Sequence, residues 1–151
     1  KRIEAIQFTM SHDDGKKVDD TNKADVILLG VSRTSKTPTS IYLANRGYKT
    51  INIPLVLDQK IPEDLKTNKT SCIIGLIADP ERLSDIRRNR VAIMKDHNIK
   101  EYTDLSFIKK EVEDSKNLFK RNNWPIIDVT RRSVEETAAS ILKIIEIKKN
   151  K

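Results

Sequence analysis

Two nearly continuous apolar runs constrain the fold of this chain more than any other feature of its sequence. They occupy residues 24–29 (ADVILL) and 71–78 (SCIIGLIA), and neither alternates apolar with polar residues. Strands of this kind are buried on both faces, which is typical of a parallel sheet covered by helices. Segments with helical period separate the runs. The sequence therefore predicts an α/β fold, a mostly parallel sheet with flanking helices.

Length and composition agree with one folded domain. The chain has 151 residues, of which 37% are hydrophobic and 34% charged, enough apolar material for a single core. Its one cysteine, Cys72, cannot form an internal disulfide, and no apolar run approaches the roughly 18 residues that span a bilayer. We therefore expect a cytoplasmic protein with no membrane partner. Because the chain opens with KRIEAIQFTM and no initiating Met, we also expect the C-terminal portion of a longer protein.

Periodicity and capping residues predict the remaining elements. The first helix is expected over 2–11, with Ile3, Ile6 and Met10 on one helical face, before HDDG at 12–15 ends it. A capping box of Ser133 and Glu136 begins the last helix. The elements expected between these two helices are, besides the two apolar runs, helices over 37–46, 80–95 and 105–121 and strands over 50–56 and 124–129. The last helix carries the apolar stripe Val134, Ala138, Ile141 and Ile145 and ends in a solvated lysine tail, Lys148, Lys149 and Lys151.

The most informative motif directly follows the first apolar run. Residues 30–37 read GVSRTSKT, which matches G-x-x-x-x-S-K-T and differs from the phosphate-binding P-loop G-x-x-x-x-G-K-[ST] at one position. In such a loop the backbone N–H groups converge on phosphate oxygens, the Lys reaches the β and γ positions and the Ser/Thr hydroxyl ligates Mg²⁺. The candidate nucleotide-binding residues are Gly30, Val31, Ser32, Arg33, Thr34, Ser35, Lys36 and Thr37, with Lys36 also a catalytic candidate and Thr37 a metal ligand.

The one departure from the P-loop pattern is Ser35, which stands where the second Gly is usual. Serine lacks glycine's freedom to adopt positive φ, so we expect the loop to differ locally from a standard P-loop. The context of the motif, after an apolar strand and before a helix, favours a P-loop kinase-like fold. The alternative is a polar turn between strand and helix in which the lysine is coincidental.

Phosphoryl transfer also needs a carboxylate for the metal and a group that deprotonates the nucleophile. Asp79 follows the second apolar run, where it would face the same crevice as the 30–37 loop, and we expect it to bind Mg²⁺. Its alternative role is to cap the next helix ahead of Pro80. Asp13 and Asp14, beside His12, are the candidates for the catalytic acid or base. A polar helix end explains these residues equally well.

The helix expected after Asp79 is unusually basic, and the whole chain carries a net charge of +7. Arginines there either clamp phosphates or form a solvated face. A basic helix can also bind nucleic acid through phosphate contacts, but no aromatic residues alternate with the basic ones to stack on bases, so we expect no nucleic-acid partner. The arginines in question are Arg82, Arg87, Arg88 and Arg90.

The motifs taken together resemble a known family. The segment ADVILLGVSRTSKTPTSIYLANRGYKTINIPLV, with HDDG at 12–15, GLIADPERLSDIRRNR at 75–90 and most of 102–142, is similar to the regulatory proteins of pyruvate, phosphate dikinase and phosphoenolpyruvate synthase. The resemblance implies a bifunctional enzyme of which this chain is one nucleotide-binding kinase and phosphorylase domain. It implies phosphorylation of a dikinase threonine with ADP as donor, and removal of that phosphate by inorganic phosphate with release of pyrophosphate.

The resemblance also bears on the site and the target. The family's nucleotide loop corresponds to residues 30–37, and Asp13 or Asp14 would accept the threonine proton in one direction and return it in the other. Thr34-Ser35 favours pyruvate, phosphate dikinase as the target, since the phosphoenolpyruvate synthase branch tends to have Cys-Gly before the Lys. Phosphoenolpyruvate synthase as target, an ATP-dependent small-molecule kinase, and a fragment that binds nucleotide but is inactive remain alternatives. A homodimer is also open.

Overall fold

The computed structural model describes residues 2–12, 23–31, 33–55, 65, 68, 70–91 and 104–149. Within these residues the structure has five helices and four strands. None of the described helices is long and apolar enough to cross a membrane. The elements in chain order are α1 (Arg2–Ser11), β1 (Val26–Gly30), α2 (Lys36–Asn45), β2 (Thr50–Pro54), β3 (Cys72–Ile77), α3 (Pro80–Val91), α4 (Leu105–Arg121), β4 (Ile126–Asp128) and α5 (Val134–Lys149).

The four strands form one parallel sheet in the order β2-β1-β3-β4. The register pairs Leu29 of β1 with Gly75 of β3 and with Ile53 of β2. The chain therefore moves from β1 to one side for β2 and then crosses to the other side for β3. In open α/β sheets, ligands bind at the carboxyl ends of the strands at such a switch point. The predicted α/β class and the mostly parallel sheet are confirmed.

Helices cover both faces of the sheet, which explains why its central strands are apolar throughout. All five residues of β1 are buried. One face contributes Val26 and Leu28 to a core cluster with Leu43 of α2 and Ile141 of α5. On the other face Phe119 of α4 packs so closely over β3 that a Cβ at Gly75 would lie 2.3 Å from its ring. Only glycine fits at that contact.

The predicted helix over 2–11 is confirmed, and its face with Ile3, Ile6 and Met10 is not the one that packs on the domain. Ala5 and Thr9 are the buried residues of α1, which packs against α2 and β2, and the Thr9 hydroxyl accepts a hydrogen bond of 3.1 Å from the Thr50 amide. Ile3 and Met10 are instead exposed by 72% and 63%. Apolar periodicity identified a helix but not the face that contacts this sheet, because small residues allow the closer approach between helices.

The last helix begins as the sequence predicts. The Ser133 amide donates to Glu136 Oε1 at 3.2 Å and the Glu136 amide donates to Ser133 Oγ at 3.1 Å, which is a complete capping box. Lys148 is exposed, as the predicted solvated tail requires, but α5 continues through it and its Nζ donates to the Ser71 carbonyl. That contact fastens the end of α5 to the start of β3.

Candidate functional site

The 30–37 loop lies at the carboxyl edge of the sheet, between the end of β1 and the start of α2. Both neighbours of β1 end beside it. The Leu55 amide, just past β2, donates a 2.9 Å hydrogen bond to the Gly30 carbonyl, which holds the start of the loop in place. A loop fixed in this way between a buried strand and a helix N-terminus is the setting that phosphate binding requires.

Glycine is required at position 30 because the backbone approaches β3 closely there. A Cβ at this position would lie 2.7 Å from Thr34 Oγ1 and 2.9 Å from the Leu76 carbonyl oxygen. The first of these is a side chain of the loop itself and the second is backbone of the neighbouring strand. The motif indicated a glycine at this position, and the structure gives the steric reason for it.

Two residues of the loop that are not glycine have left-handed backbone conformations. Arg33 has a φ of 69° and Ser35 a φ of 62°. Our expectation that Ser35 would make the loop depart from a glycine-like conformation is wrong in this respect, since the serine adopts the positive φ that glycine adopts freely. Such strain persists only where surrounding contacts determine it, and it is concentrated at binding and active sites.

Lys36 folds back over the loop. Its side chain is 6% exposed, and its Nζ donates a 2.9 Å hydrogen bond to the Val31 carbonyl. The buried Thr34 hydroxyl donates to the same carbonyl at 2.8 Å. Two donors on one oxygen tie Thr34 and Lys36 to Val31. The ammonium is thereby kept at the loop, where a phosphate oxygen would compete with Val31 for it.

The first turn of α2 completes the loop. Ser35 is the N-cap residue, and its hydroxyl makes no capping hydrogen bond. Thr37 lies in this turn and is partly exposed, and its carbonyl accepts from Ser40 Oγ, which in turn accepts from the Asn52 side-chain amide of β2 at 3.2 Å. Aligned peptide dipoles at a helix N-terminus favour an anion. The turn is thus anchored from behind to β2 while its amino end points toward the loop.

Asp79 lies just past the end of β3, and β3 is the neighbour of β1 at this edge. Its Oδ2 accepts a 3.1 Å hydrogen bond from the Arg82 amide, so it caps α3, as the alternative interpretation predicted. Its own amide donates to the Thr130 hydroxyl at 2.7 Å. A carboxylate accepts several hydrogen bonds, so capping leaves capacity for another ligand.

The residue set is compatible with Mg²⁺ supported by phosphates rather than by a protein cage. Among the residues that the structure describes, no three His, Cys, Asp or Glu side chains come together as a metal centre. Magnesium typically uses one or two carboxylates together with substrate phosphates and waters. Thr37 and Asp79 at one sheet edge fit that pattern, and both remain predictions as metal ligands.

Three of the predicted site residues, Asp13, Asp14 and Ser32, lie outside the described residues. Their neighbour His12 is described: it is 3% exposed, its Nδ1 lies 2.7 Å from the Phe8 carbonyl, and its ring stacks on that of Phe8 with centroids 4.0 Å apart. His12 therefore secures the end of α1 immediately before the two aspartates.

The basic helix α3 is, as a whole, neither a phosphate clamp nor a solvated face. Arg82 and Arg88 are exposed, as expected for a solvated face. Arg87 is 1% exposed and donates to Glu111 Oε1 of α4 at 2.7 Å. In this conformation Arg87 holds two helices together instead of facing a ligand. The helical period places Arg87 on a different face of α3 from the exposed Arg82 and Arg88. Nothing in the sequence pointed to Glu111 as its partner.

A second cleft beside Asp79 contains residues that sequence reasoning missed. It has a volume of about 580 Å³ and lies between the carboxyl ends of β3 and β4 and the helix α4. Asp128 lines it, together with Lys109, Lys110 and Glu113. The rule that singled out Asp79, a carboxylate at the carboxyl end of a parallel strand, applies equally to Asp128 at the end of β4.

The chain matches the family model described as Kinase/pyrophosphorylase over residues 1–142. A protein of Pelagibacter ubique, provisionally named a pyruvate, phosphate dikinase regulatory protein, is 64% identical over 151 residues, which are 99% of this chain and 55% of that protein. Proteins of Sinorhizobium medicae and Bartonella bacilliformis with the same provisional name are 56% and 55% identical over 95% and 96% of this chain, and 53% and 52% of their own lengths.

The chain thus spans about half the length of the curated relatives it matches. The match begins at the first residue, so it includes α1 as well as the sheet, the 30–37 loop and Asp79. With a phosphate-type loop at a topological switch point and a family match over nearly its whole length, the chain belongs to the Kinase/pyrophosphorylase family.

Proposed function

We propose that the full-length protein containing this chain is a bifunctional regulator of pyruvate, phosphate dikinase. In one direction it phosphorylates a dikinase threonine with ADP and inactivates the target. In the other, inorganic phosphate removes that group and restores the target. The observation that carries the proposal is the 30–37 loop, with Lys36 held against the Val31 carbonyl at the switch point of the sheet. Family membership and the names of the relatives support the choice of reaction and target.

In the kinase direction the threonine Oγ attacks the β-phosphorus of ADP. The new bond joins threonine oxygen to the β-phosphorus, the bond from that phosphorus to the bridging oxygen breaks, and AMP leaves with the electron pair. The threonine proton passes to a general base. The site is therefore a transferase site in which the terminal phosphate of a nucleoside diphosphate is the one transferred.

In the phosphorylase direction an oxygen of inorganic phosphate attacks the phosphorus of phosphothreonine. A phosphorus–oxygen–phosphorus bridge forms, the bond to the threonine oxygen breaks, and that oxygen takes a proton from the group that served as base. Pyrophosphate leaves. Because both directions pass a proton over the same threonine oxygen, one acid–base residue suffices for both.

Different residues of the chain have different roles in these two reactions. The loop backbone and the N-terminus of α2 hold the phosphate chain, and Lys36 balances charge on its oxygens. Thr37 and Asp79 would hold Mg²⁺, which when bound supplies charge neutralisation across the phosphates. Asp13 or Asp14 is our choice for the acid–base residue, supported by the anchored His12 that precedes them. A cytoplasmic setting accords with the target enzyme and the lone buried cysteine.

The experiment that tests this function uses the full-length protein with ADP labelled in its β-phosphate. The target is pyruvate, phosphate dikinase in its phosphohistidine form, and phosphoenolpyruvate synthase serves as the comparison target. We expect label on a dikinase threonine, followed by its return as pyrophosphate when inorganic phosphate is added. Lys36→Ala is the blank, and Lys109→Ala is the matched lysine control.

Two results would overturn the proposal. ATP turnover that needs no protein partner, with no transfer from ADP, would indicate a small-molecule kinase instead. Label on phosphoenolpyruvate synthase but not on the dikinase would change the target while leaving the chemistry intact. Alanine at the responsible aspartate, Asp13 or Asp14, should abolish both activities, and loss of one activity alone would refute a shared acid–base residue.

A further inference from the structure

The helix α1 carries two distinct faces. Ala5, Thr9 and His12 lie on one face and are buried against the rest of the domain. Ile3, Ile6 and Met10 lie on another, about a third of a turn away around the helix axis. Ile3 is 72% exposed and Met10 63%, and Ile6 is partly exposed. We call Ile3, Ile6 and Met10 the outer face of α1.

The outer face is unusual for a helix at the surface of a soluble domain. A helix of this kind normally turns its apolar stripe inward and its charged residues outward. The described residues include four large hydrophobic side chains that are strongly exposed, and two of the four are Ile3 and Met10 on this one face. Exposed apolar residues that group on one surface mark a site of interaction.

The surroundings of α1 within the described chain do not account for the outer face. The contacts of α1 are mainly with α2 and β2, and they use the face that carries Ala5 and Thr9, as the Thr9 to Thr50 hydrogen bond shows. The segment 13–22 that follows contains one aliphatic residue, Val18, among charged and polar ones. The family match begins at residue 1, so α1 is a part of the family's domain rather than an unrelated extension.

The size of the outer face argues against a second copy of the chain as its occupant. Stable interfaces between separate molecules use about 20–30 residues on each side. Three apolar side chains on one helix are far fewer. A segment joined covalently to the domain needs much less contact area, because tethering gives it an effective concentration in the millimolar range. The Pelagibacter ubique relative extends beyond the matched region by nearly half of its length, which supplies such a segment.

We propose that the outer face of α1 is the docking surface for the part of the full-length protein that lies outside these 151 residues. That part packs its own apolar residues on Ile3, Ile6 and Met10. Because the Ala5 and Thr9 face of α1 packs on α2, whose N-terminus completes the 30–37 loop, the docked part and the loop are connected through a single helix layer. This inference concerns assembly of the protein and holds whichever phosphoryl donor the loop accepts.

The test places a photo-crosslinking residue, p-benzoylphenylalanine, at Met10 in the full-length protein, and in a second variant at Ile3. A third variant carries it at Ile147, which is 55% exposed on α5 and serves as the matched control. After irradiation, mass spectrometry identifies the captured peptide. We expect intramolecular capture of a peptide from outside the 151 residues, with a yield about tenfold higher at positions 10 and 3 than at 147, given the effective concentration of a tethered partner.

Three outcomes would overturn the proposal. Capture of a second copy, seen as a crosslinked dimer whose yield falls on dilution, would identify the outer face as a subunit interface. Capture of a peptide from within the 151 residues would show that this domain covers its own helix. Equal yields at positions 10, 3 and 147 would show that the outer face is open to solvent. The Ile3 variant keeps the test valid if the Met10 variant fails to fold.

Discussion

Lys36 Nζ donates a hydrogen bond to the Val31 carbonyl oxygen across 2.9 Å, so the ammonium of Lys36 is bound to the backbone of its own 30–37 loop. Lys36→Met keeps the aliphatic stem and removes the ammonium. Since a positioned donor of this kind contributes about 100-fold or more to rate, we expect phosphoryl transfer to fall by at least that factor. Steady-state transfer from labelled ADP measures it. Lys110→Met, at the second cleft, is the control, and a comparable loss there would refute a special role for Lys36.

Ser35 has the positive φ of 62° that glycine adopts without strain. We therefore expect Ser35→Gly to leave the loop conformation and the preference for ADP over ATP unchanged. Ser35→Val should reduce nucleotide binding strongly, because a β-branched residue at positive φ is a true conformational outlier. The ratio of kcat/KM for ADP and ATP measures the preference. A changed ratio in Ser35→Gly would show that the serine side chain, and not the backbone, sets it.

Asp79 caps α3 through its Oδ2 and the Arg82 amide, 3.1 Å apart. Asn caps helices about as well as Asp, so Asp79→Asn separates capping from charge. We expect its free energy of unfolding to stay within about 0.5 kcal/mol of the original, since the substitution preserves the cap. If Asp79 also holds Mg²⁺, the Mg²⁺ concentration needed for half-maximal transfer should rise. No change in that concentration would confine Asp79 to capping.

Arg87 and Glu111 form an ion pair at 2.7 Å, with side chains only 1% and 10% exposed. Breaking a buried ion pair by removing one of its two members costs about 3–5 kcal/mol. We expect a loss of that size for Glu111→Ala in urea unfolding, and recovery of much of it in the double variant Arg87→Met/Glu111→Leu. The exposed neighbour Arg88→Ala should change stability by less than about 0.5 kcal/mol. A small effect of Glu111→Ala would mean that water reaches Arg87.

Burial raises the pKa of the Cys72 thiol above its ordinary value of 9.0, and the Lys148 ammonium partly offsets this. The folded chain therefore keeps a proton that the unfolded chain releases above pH 9, so the free energy of unfolding falls as pH rises from there through the folded pKa. The slope should stay below the about 1.4 kcal/mol per pH unit that one proton allows. Cys72→Val lacks the titration, so its stability relative to the unsubstituted chain should rise over that range. Parallel pH profiles of the two would refute the shift.

The sequence by itself determined the local features of this protein. Apolar runs predicted the central strands β1 and β3, and the parallel α/β class follows because strands buried on both faces need helices on both sides. Ser133 and Glu136 predicted their own capping box, since the partners lie three residues apart. Gly30, Lys36 and Thr37 were recognisable as a match to the phosphate-loop pattern because backbone geometry fixes their spacing in the chain, and phosphate binding there stays a prediction. Asp79 was predicted to follow a strand because it comes directly after the apolar run 71–78.

Only the tertiary structure decided contacts between residues far apart in the chain. Ile3 and Met10 have the periodicity of a buried face, yet the small residues Ala5 and Thr9 contact the domain, because the fit between packed helices depends on side-chain volume in both partners. Arg87 forms an ion pair with Glu111, which lies 24 positions away in the chain. Lys148 donates a hydrogen bond to the Ser71 carbonyl, which lies 77 positions away. Ser35 took a positive φ because the surrounding loop contacts outweigh the cost to a single residue. Periodicity reports which residues prefer burial, whereas packing selects the ones that are buried.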